Sequence, residues 1–115
     1  MKKRVLAIDD EEMTLEALRT ILEDLNCTID TYTDPVEGEK RALEEDYDLI
    51  LLDIRMPGRN GAEITESVLA NKPGASILII TAHPNDPYAK RALETGALAL
   101  VKKPFEIAKI MDFLQ

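Results

Sequence analysis

Charged and polar side chains stand where several apolar runs stop, and their types point to one chemistry. Asp9 and Asp10 follow Val5–Ile8, and Asp53 follows Leu49–Leu52. Thr81 follows Ser76–Ile80, and Lys103 follows Leu98–Lys102. If these runs are neighbouring strands, Asp9, Asp10 and Asp53 come close together. Crowded carboxylates repel strongly at low effective dielectric, and either a proton or a cation must relieve them. An all-oxygen site suits a hard divalent ion. Few carboxylates, with room for water and phosphate, favour Mg²⁺ over Ca²⁺. Lys103 adds one positive charge, and Thr81 adds a hydroxyl able to donate to an anionic oxygen. Such a set suits phosphoryl transfer to a carboxylate. Asp53 is the nucleophile that forms an acyl phosphate, while the cation, Lys103 and Thr81 neutralise charge on the transferring oxygens. No general base is needed, because the carboxylate is already deprotonated. The plainer readings are that Asp9 and Asp10 cap a helix, Thr81 is a β-branched strand residue, and Lys103 is an exposed lysine.

The elements that must position these groups alternate in period. Val5–Ile8 is a short apolar run typical of a strand buried on both faces. Leu15, Leu18, Leu22 and Leu25 then recur at helical spacing. Thr28–Thr33 is rich in β-branched residues and predicts a second strand. Asp34-Pro35 has the form of an N-cap followed by proline at the first helical position. That helix runs to about Glu45, weakened by Gly38. Leu49–Leu52 is a third strand, and Asn60 to about Asn71 a helix with Ile64 and Val68 inward. Ser76–Ile80 is a fourth strand. Pro87–Thr95 is a helix stopped by Gly96. Leu98–Lys102 is a fifth strand, and Phe105–Leu114 a last helix. Doubly buried strands, each followed by a helix, predict an α/β fold with a parallel sheet covered on both sides. In such sheets function sits beyond the carboxyl ends of the strands, where Asp9, Asp10, Asp53, Thr81 and Lys103 all fall. Strand alternation turns Lys102 to the opposite face from Lys103. A cis Lys103–Pro104 bond is expected to help aim the lysine inward.

Composition narrows the class further. The chain has 115 residues, which fits one domain spanning 1–115 with no output domain attached. A net charge of −8 argues against direct nucleic-acid binding, which needs a basic surface. The single Cys27 forms no internal disulfide, consistent with a reducing cytoplasm. The N-terminal apolar run is too short for a signal peptide or a membrane span. The expected location is therefore cytoplasmic.

Asp9-Asp10, the segment Asp53-Ile-Arg-Met-Pro-Gly-Arg-Asn-Gly61, Thr81-Ala82 and Lys103-Pro104-Phe105 together resemble the receiver-domain signature of response regulators. The resemblance covers essentially the whole chain. It implies a flavodoxin-like (βα)5 doubly wound sandwich with a five-stranded parallel sheet in the order 2-1-3-4-5. It implies that Asp53 accepts a phosphoryl group from a histidine kinase or histidine phosphotransferase. Asp10, Asp53 and the backbone carbonyl of Arg55 would bind Mg²⁺ directly, and Asp9 through water. Thr81 and Lys103 would contact the phosphoryl oxygens, and Met56, Pro57, Gly58 and Gly61 would shape the loop after the acceptor. Such a domain is a signalling phosphoacceptor rather than an enzyme. It meets a downstream protein, or dimerises, through the face of the fourth helix, fifth strand and fifth helix, which here includes Tyr88, Arg91, Leu100 and Phe105.

One departure bears on signalling. Receivers usually turn an aromatic ring inward from the fifth strand as the threonine moves toward the phosphate. That ring's position holds Leu100 here, which predicts a weaker or different rearrangement of the region of the fourth strand and fourth helix. Arg55 and His83 would flank the approach of water to the acyl phosphate; the alternative is that both are simply exposed loop residues. Three competing functions remain. A haloacid-dehalogenase-like Mg²⁺ phosphatase would carry a second acid two residues after the nucleophile, where Arg55 stands. A flavin-mononucleotide module would need a Gly/Ser/Thr-rich loop where Asp9-Asp10-Glu11-Glu12 stands. A degenerate receiver that only binds protein would not need the intact set of acids, Thr81 and Lys103.

Overall fold

In a computed structural model, residues 2–103 and 106–114 are described. Strands and helices alternate along the chain: β1 (Lys3–Ile8), α1 (Glu12–Asp24), β2 (Cys27–Tyr32), α2 (Pro35–Glu44), β3 (Leu49–Asp53), α3 (Gly61–Asn71), β4 (Ile77–Thr81), α4 (Pro87–Thr95), β5 (Ala99–Lys102) and α5 (Ile107–Leu114). The strands form one parallel sheet in the order β2-β1-β3-β4-β5. Fold class and strand order are those expected, with boundaries moved by a residue or two. The expected cis Lys103–Pro104 bond and the place of Phe105 lie outside the described residues.

Strand alternation divides the core into two layers. Leu6, Ile8, Ile50, Leu52, Ile77 and Ile79 face α2, α3 and α4, meeting Ala42, Ile64, Val68, Ala89 and Ala92. Val5, Ala7, Leu49, Leu51, Leu78, Ile80 and Val101 face the other way, against Leu15, Leu18 and Leu22 of α1 and Ile110 of α5. Leu25 departs from the expected stripe. It is the C-cap residue of α1 and is exposed, because the helix ends before its turn would carry it inward.

Helix entries are set locally. Asp34 accepts the Val36 N–H and precedes Pro35, so α2 begins there. Asn60 and Glu63 exchange side-chain and backbone bonds in a full capping box that starts α3. Gly96, at φ +136°, ends α4 in a conformation that L side chains rarely adopt. Gly38 was expected to weaken α2, but its place has a packing reason. A Cβ there would lie 2.8–2.9 Å from three side-chain atoms of Ile8. The helix thus sits closer to β1 than any larger residue permits, directly behind the turn that carries Asp9. Gly38→Ala is expected to destabilise the domain by about 1–3 kcal/mol through overpacking, despite alanine's better helix propensity. Urea unfolding of the two proteins measures this, and a more stable variant would show that Ile8 yields without cost.

Candidate functional site

The sheet brings the expected residues to one edge. β1 and β3 are neighbours, with Ile8 beside Leu52. Strand order reverses at this pair: β2 lies outside β1 on one side, and β4 outside β3 on the other. Open parallel sheets have their crevice at such a point. Asp9 and Asp10 leave β1 into it, and Asp53 is the last residue of β3. The carboxylates of Asp9, Asp10 and Asp53 each have an oxygen within 4.8 Å of the others. Thr81 ends β4 and is buried. Lys103 follows β5, and its N–H donates to the Thr81 carbonyl at 2.9 Å. As alternation requires, Lys102 is exposed and Lys103 turns inward.

Three carboxylates share one ammonium. Lys103 Nζ lies 2.8 Å from Asp9 Oδ2, 3.3 Å from Glu11 Oε1 and 3.6 Å from Asp53 Oδ1. Asp9 is fully buried, and its Oδ1 accepts the Glu11 N–H at 2.9 Å. Its Oδ2 meets Lys103 by proximity of charge but not in hydrogen-bonding alignment, and it has no hydrogen-bond partner. Asp9 and Asp10 do not cap α1. The N-cap residue is Glu11, whose side chain makes no capping bond. The acids are therefore not accounted for by helix capping, and one buried anionic oxygen is unsatisfied.

The electrostatics follow from this crowding. Burial pushes the Asp53 carboxyl up to about 7, and the charge of Asp9 adds to the effect. Lys103 and the Ile54 N–H, which donates to Asp53 Oδ1 at 2.8 Å, oppose it. Burial disfavours the Lys103 ammonium, but the adjoining Asp9 and the charge of Asp53 outweigh it and hold its pKa above the usual lysine value. An all-oxygen cluster with a buried oxygen that accepts no hydrogen bond fits a hard divalent cation. The site can thus hold a metal through Asp9, Asp10 and Asp53, and can stabilise an anionic group through Lys103 and Thr81. The Thr81 Oγ1 accepts the His83 N–H at 2.9 Å, which leaves the hydroxyl proton free to be donated.

The loop after Asp53 is built to stay out of the way. Gly58 has φ +88°. At Gly61 an added Cβ would collide with the Asp53 carbonyl oxygen, so only glycine lets α3 start this close to β3. Arg55 and His83 do line the cleft, about 270 Å³ in volume, together with Asp10, Glu11, Asp53, Thr81 and Lys103. Both are exposed loop residues, and the Arg55 side chain is engaged elsewhere. Its guanidinium makes two hydrogen bonds to Asp86, at 2.6 and 3.1 Å, and its carbon lies 4.4 Å from the centre of the Tyr88 ring. Sequence reasoning missed Glu11 and Asp86 at the site, and placed Tyr88 only on the α4–β5–α5 face. The Asp86-Pro87 pair has the same cap-and-proline form as Asp34-Pro35, so its capping role was readable. Its ion pair with a residue 31 positions away was not.

Comparison with known proteins agrees with this geometry. The family model of the response regulator receiver domain matches residues 5–115. The chain is 36% identical over 112 residues to the chemotaxis protein CheY of Halobacterium salinarum, covering 97% of this chain and 93% of that one. It is 37% identical over 109 residues to the response regulator ArlR of Staphylococcus saprophyticus, covering 94% of this chain and 49% of that one. It thus spans about half the length of several curated relatives that it matches. The crystal structure of a CheY-like receiver domain protein from Methanospirillum hungatei superimposes with a TM-score of 0.90 at 25% identity, covering 99% of this chain and 91% of that one. Among the described residues no helix is long and apolar enough to cross a membrane.

Crowding at Asp53 makes a prediction about the metal-free protein. A carboxyl whose pKa is raised by folding favours the folded state at low pH. That contribution is complete below the ordinary aspartate value of about 4 and is lost as pH rises through about 7. Asp53→Asn removes the charge and keeps the shape. In chelator at pH 8 it is expected to be more stable than the parent by on the order of 2 kcal/mol, with little difference near pH 4. Adding Mg²⁺ at pH 8 should close the gap by stabilising the parent. Thermal melts read all three conditions, and a variant less stable at pH 8 in chelator would contradict the repulsion.

Proposed function

The chain belongs to the response regulator receiver domain family, and we propose that Asp53 is its phosphoacceptor, served by Asp9, Asp10, Thr81, Lys103 and a bound Mg²⁺. As a receiver domain it is a phosphoacceptor module of two-component signalling. The observation that carries the residue assignment is the meeting of the Asp9, Asp10 and Asp53 carboxylates with the half-buried Lys103 ammonium at the β1/β3 crevice.

The reaction is transfer of a phosphoryl group from a phosphohistidine of a histidine kinase or histidine phosphotransferase. An oxygen of Asp53 attacks phosphorus, a P–O bond forms, and the donor's P–N bond breaks. The imidazole leaves with the bonding pair and takes a proton from solvent. The Ile54 N–H limits rotation of the Asp53 carboxylate before attack. Lys103 and the Thr81 hydroxyl meet the phosphoryl oxygens as charge builds on them. Asp10, Asp53 and the backbone carbonyl of Arg55 would hold Mg²⁺, with Asp9 acting through water, and the ion would supply charge neutralisation there when bound. The domain in this reading catalyses only its own phosphorylation and dephosphorylation. A haloacid-dehalogenase-like phosphatase is not favoured, because the position of its second acid holds Arg55, and that side chain is tied to Asp86. The downstream protein, or a second copy, would meet the α4–β5–α5 face, and the cytoplasm is the fitting compartment.

Incubation with acetyl phosphate and Mg²⁺, followed by intact mass, tests the assignment. The parent should gain one phosphate, and Asp53→Ala or excess chelator should abolish the adduct. Lys103→Ala should slow its formation roughly a hundredfold, in line with removal of a preorganised transition-state donor. An adduct that persists in Asp53→Ala would place the acceptor elsewhere.

A further inference from the structure

Arg55 stands two residues beyond Asp53 and lines the same cleft, yet its charge is engaged elsewhere. Nε and Nη2 donate to Asp86 Oδ2 and Oδ1, and the guanidinium lies over the Tyr88 ring. Asp86 is also the N-cap of α4: the same Oδ1 that accepts from Arg55 accepts the Tyr88 N–H at 2.9 Å. The two side chains are unequally placed. Arg55 is 58% exposed and Asp86 only 5%. The cation can swing away through solvent, whereas the anion is held in place.

A phosphoryl group at Asp53 would give Arg55 somewhere to go. Lys103 already serves three carboxylates. Phosphorylation replaces the single charge of a carboxylate with a nearly double one bearing several strong acceptor oxygens. Arg55 is the other permanently charged cation lining the cleft among the described residues. A planar guanidinium pairs as well with phosphoryl oxygens as with a carboxylate.

We propose that Arg55 is a shared cation: it rests on Asp86 and Tyr88 in the unphosphorylated domain and moves to the phosphoryl group on Asp53, which frees the first turn of α4. This rests on the reading of Asp53 as the phosphoacceptor. Departure of Arg55 removes both the counter-charge and the cover of Asp86, which keeps only its bond from the Tyr88 N–H, so the cap that starts α4 loosens. Tyr88 loses the cation over its ring at the same moment. The buried residues of α4 are two alanines, Ala89 and Ala92, so such a shift breaks little packing. The route runs from the β3–α3 loop straight to α4. It does not need a ring on β5, where Leu100 lies half-buried opposite Ile79.

Backbone amide shifts with Mg²⁺, before and after adding the phosphoryl mimic beryllofluoride, test the coupling, with bound ¹⁹F signal reporting occupancy of the site. In the parent, amides from Asp86 to Arg91 should move together with those around Asp53. In Arg55→Ala with an occupied site, most of the α4 response should be lost. Asp86→Asn keeps a capping oxygen but holds the guanidinium less tightly, so its α4 amides should start near the parent's occupied positions and move little further. An α4 response in Arg55→Ala equal to the parent's, or a silent α4 in an occupied parent, overturns the shared cation alone. Absence of bound ¹⁹F signal in the parent overturns the Asp53 assignment, and the coupling with it.

Discussion

Repulsion among Asp9, Asp10 and Asp53 is the constraint on which the rest of this structure depends. A domain does not gain stability by burying carboxylates beside one another. Here that arrangement persists because the apolar sheet behind it is strong. Val5–Ile8, Leu49–Leu52 and Ile77–Ile80 are buried on both faces, and each fully buried large aliphatic contributes about 1.5–3 kcal/mol. Lys103 offsets part of the repulsion from the far side of β4. The remainder shows in the raised pKa of Asp53 and in the unpartnered oxygen of Asp9. These are the features that make the site receptive, since a divalent cation relieves both.

The same constraint shapes the neighbouring backbone. Gly61 brings α3 against the Asp53 carbonyl, and Gly38 brings α2 against Ile8, the last residue before Asp9. Both close approaches keep the crevice narrow where the charges meet. The site's rigidity therefore comes from packing below it. The contact of the exposed Arg55 with Asp86 lies at the rim, where in the proposed coupling a change of charge at Asp53 acts on α4 with little loss of core contact.

Most of the fold was legible in the chain because two periodicities that rarely coexist alternate in it. Short doubly apolar runs cannot cover themselves, and the helices between them carry single apolar stripes, so the layered α/β arrangement follows. Asp53, Thr81 and Lys103 were legible for the same reason: a polar residue ending a buried strand must lie at the sheet's edge. Local chemistry also located the entry of α2, through Asp34-Pro35, whereas the Asn60–Glu63 box of α3 and the Asp86 cap of α4 were found only in the structure. The packing reason for Gly38 was not legible, because helix propensity is a property of the chain alone, whereas the space beside Ile8 is a property of the packed layers.

By itself, then, the sequence determined which residue types end which strands, and with them the kind of chemistry that the edge supports. Only the tertiary structure decided who partners whom. That Lys103 answers to Asp9 and Glu11 as well as Asp53, that Asp9 is fully buried and Asp10 exposed, and that Arg55 reaches across to Asp86 are long-range outcomes. Short-range pattern has no access to them. A charge's environment is set by groups within a few ångströms in space, and the chain brings those groups from strands and loops many residues apart.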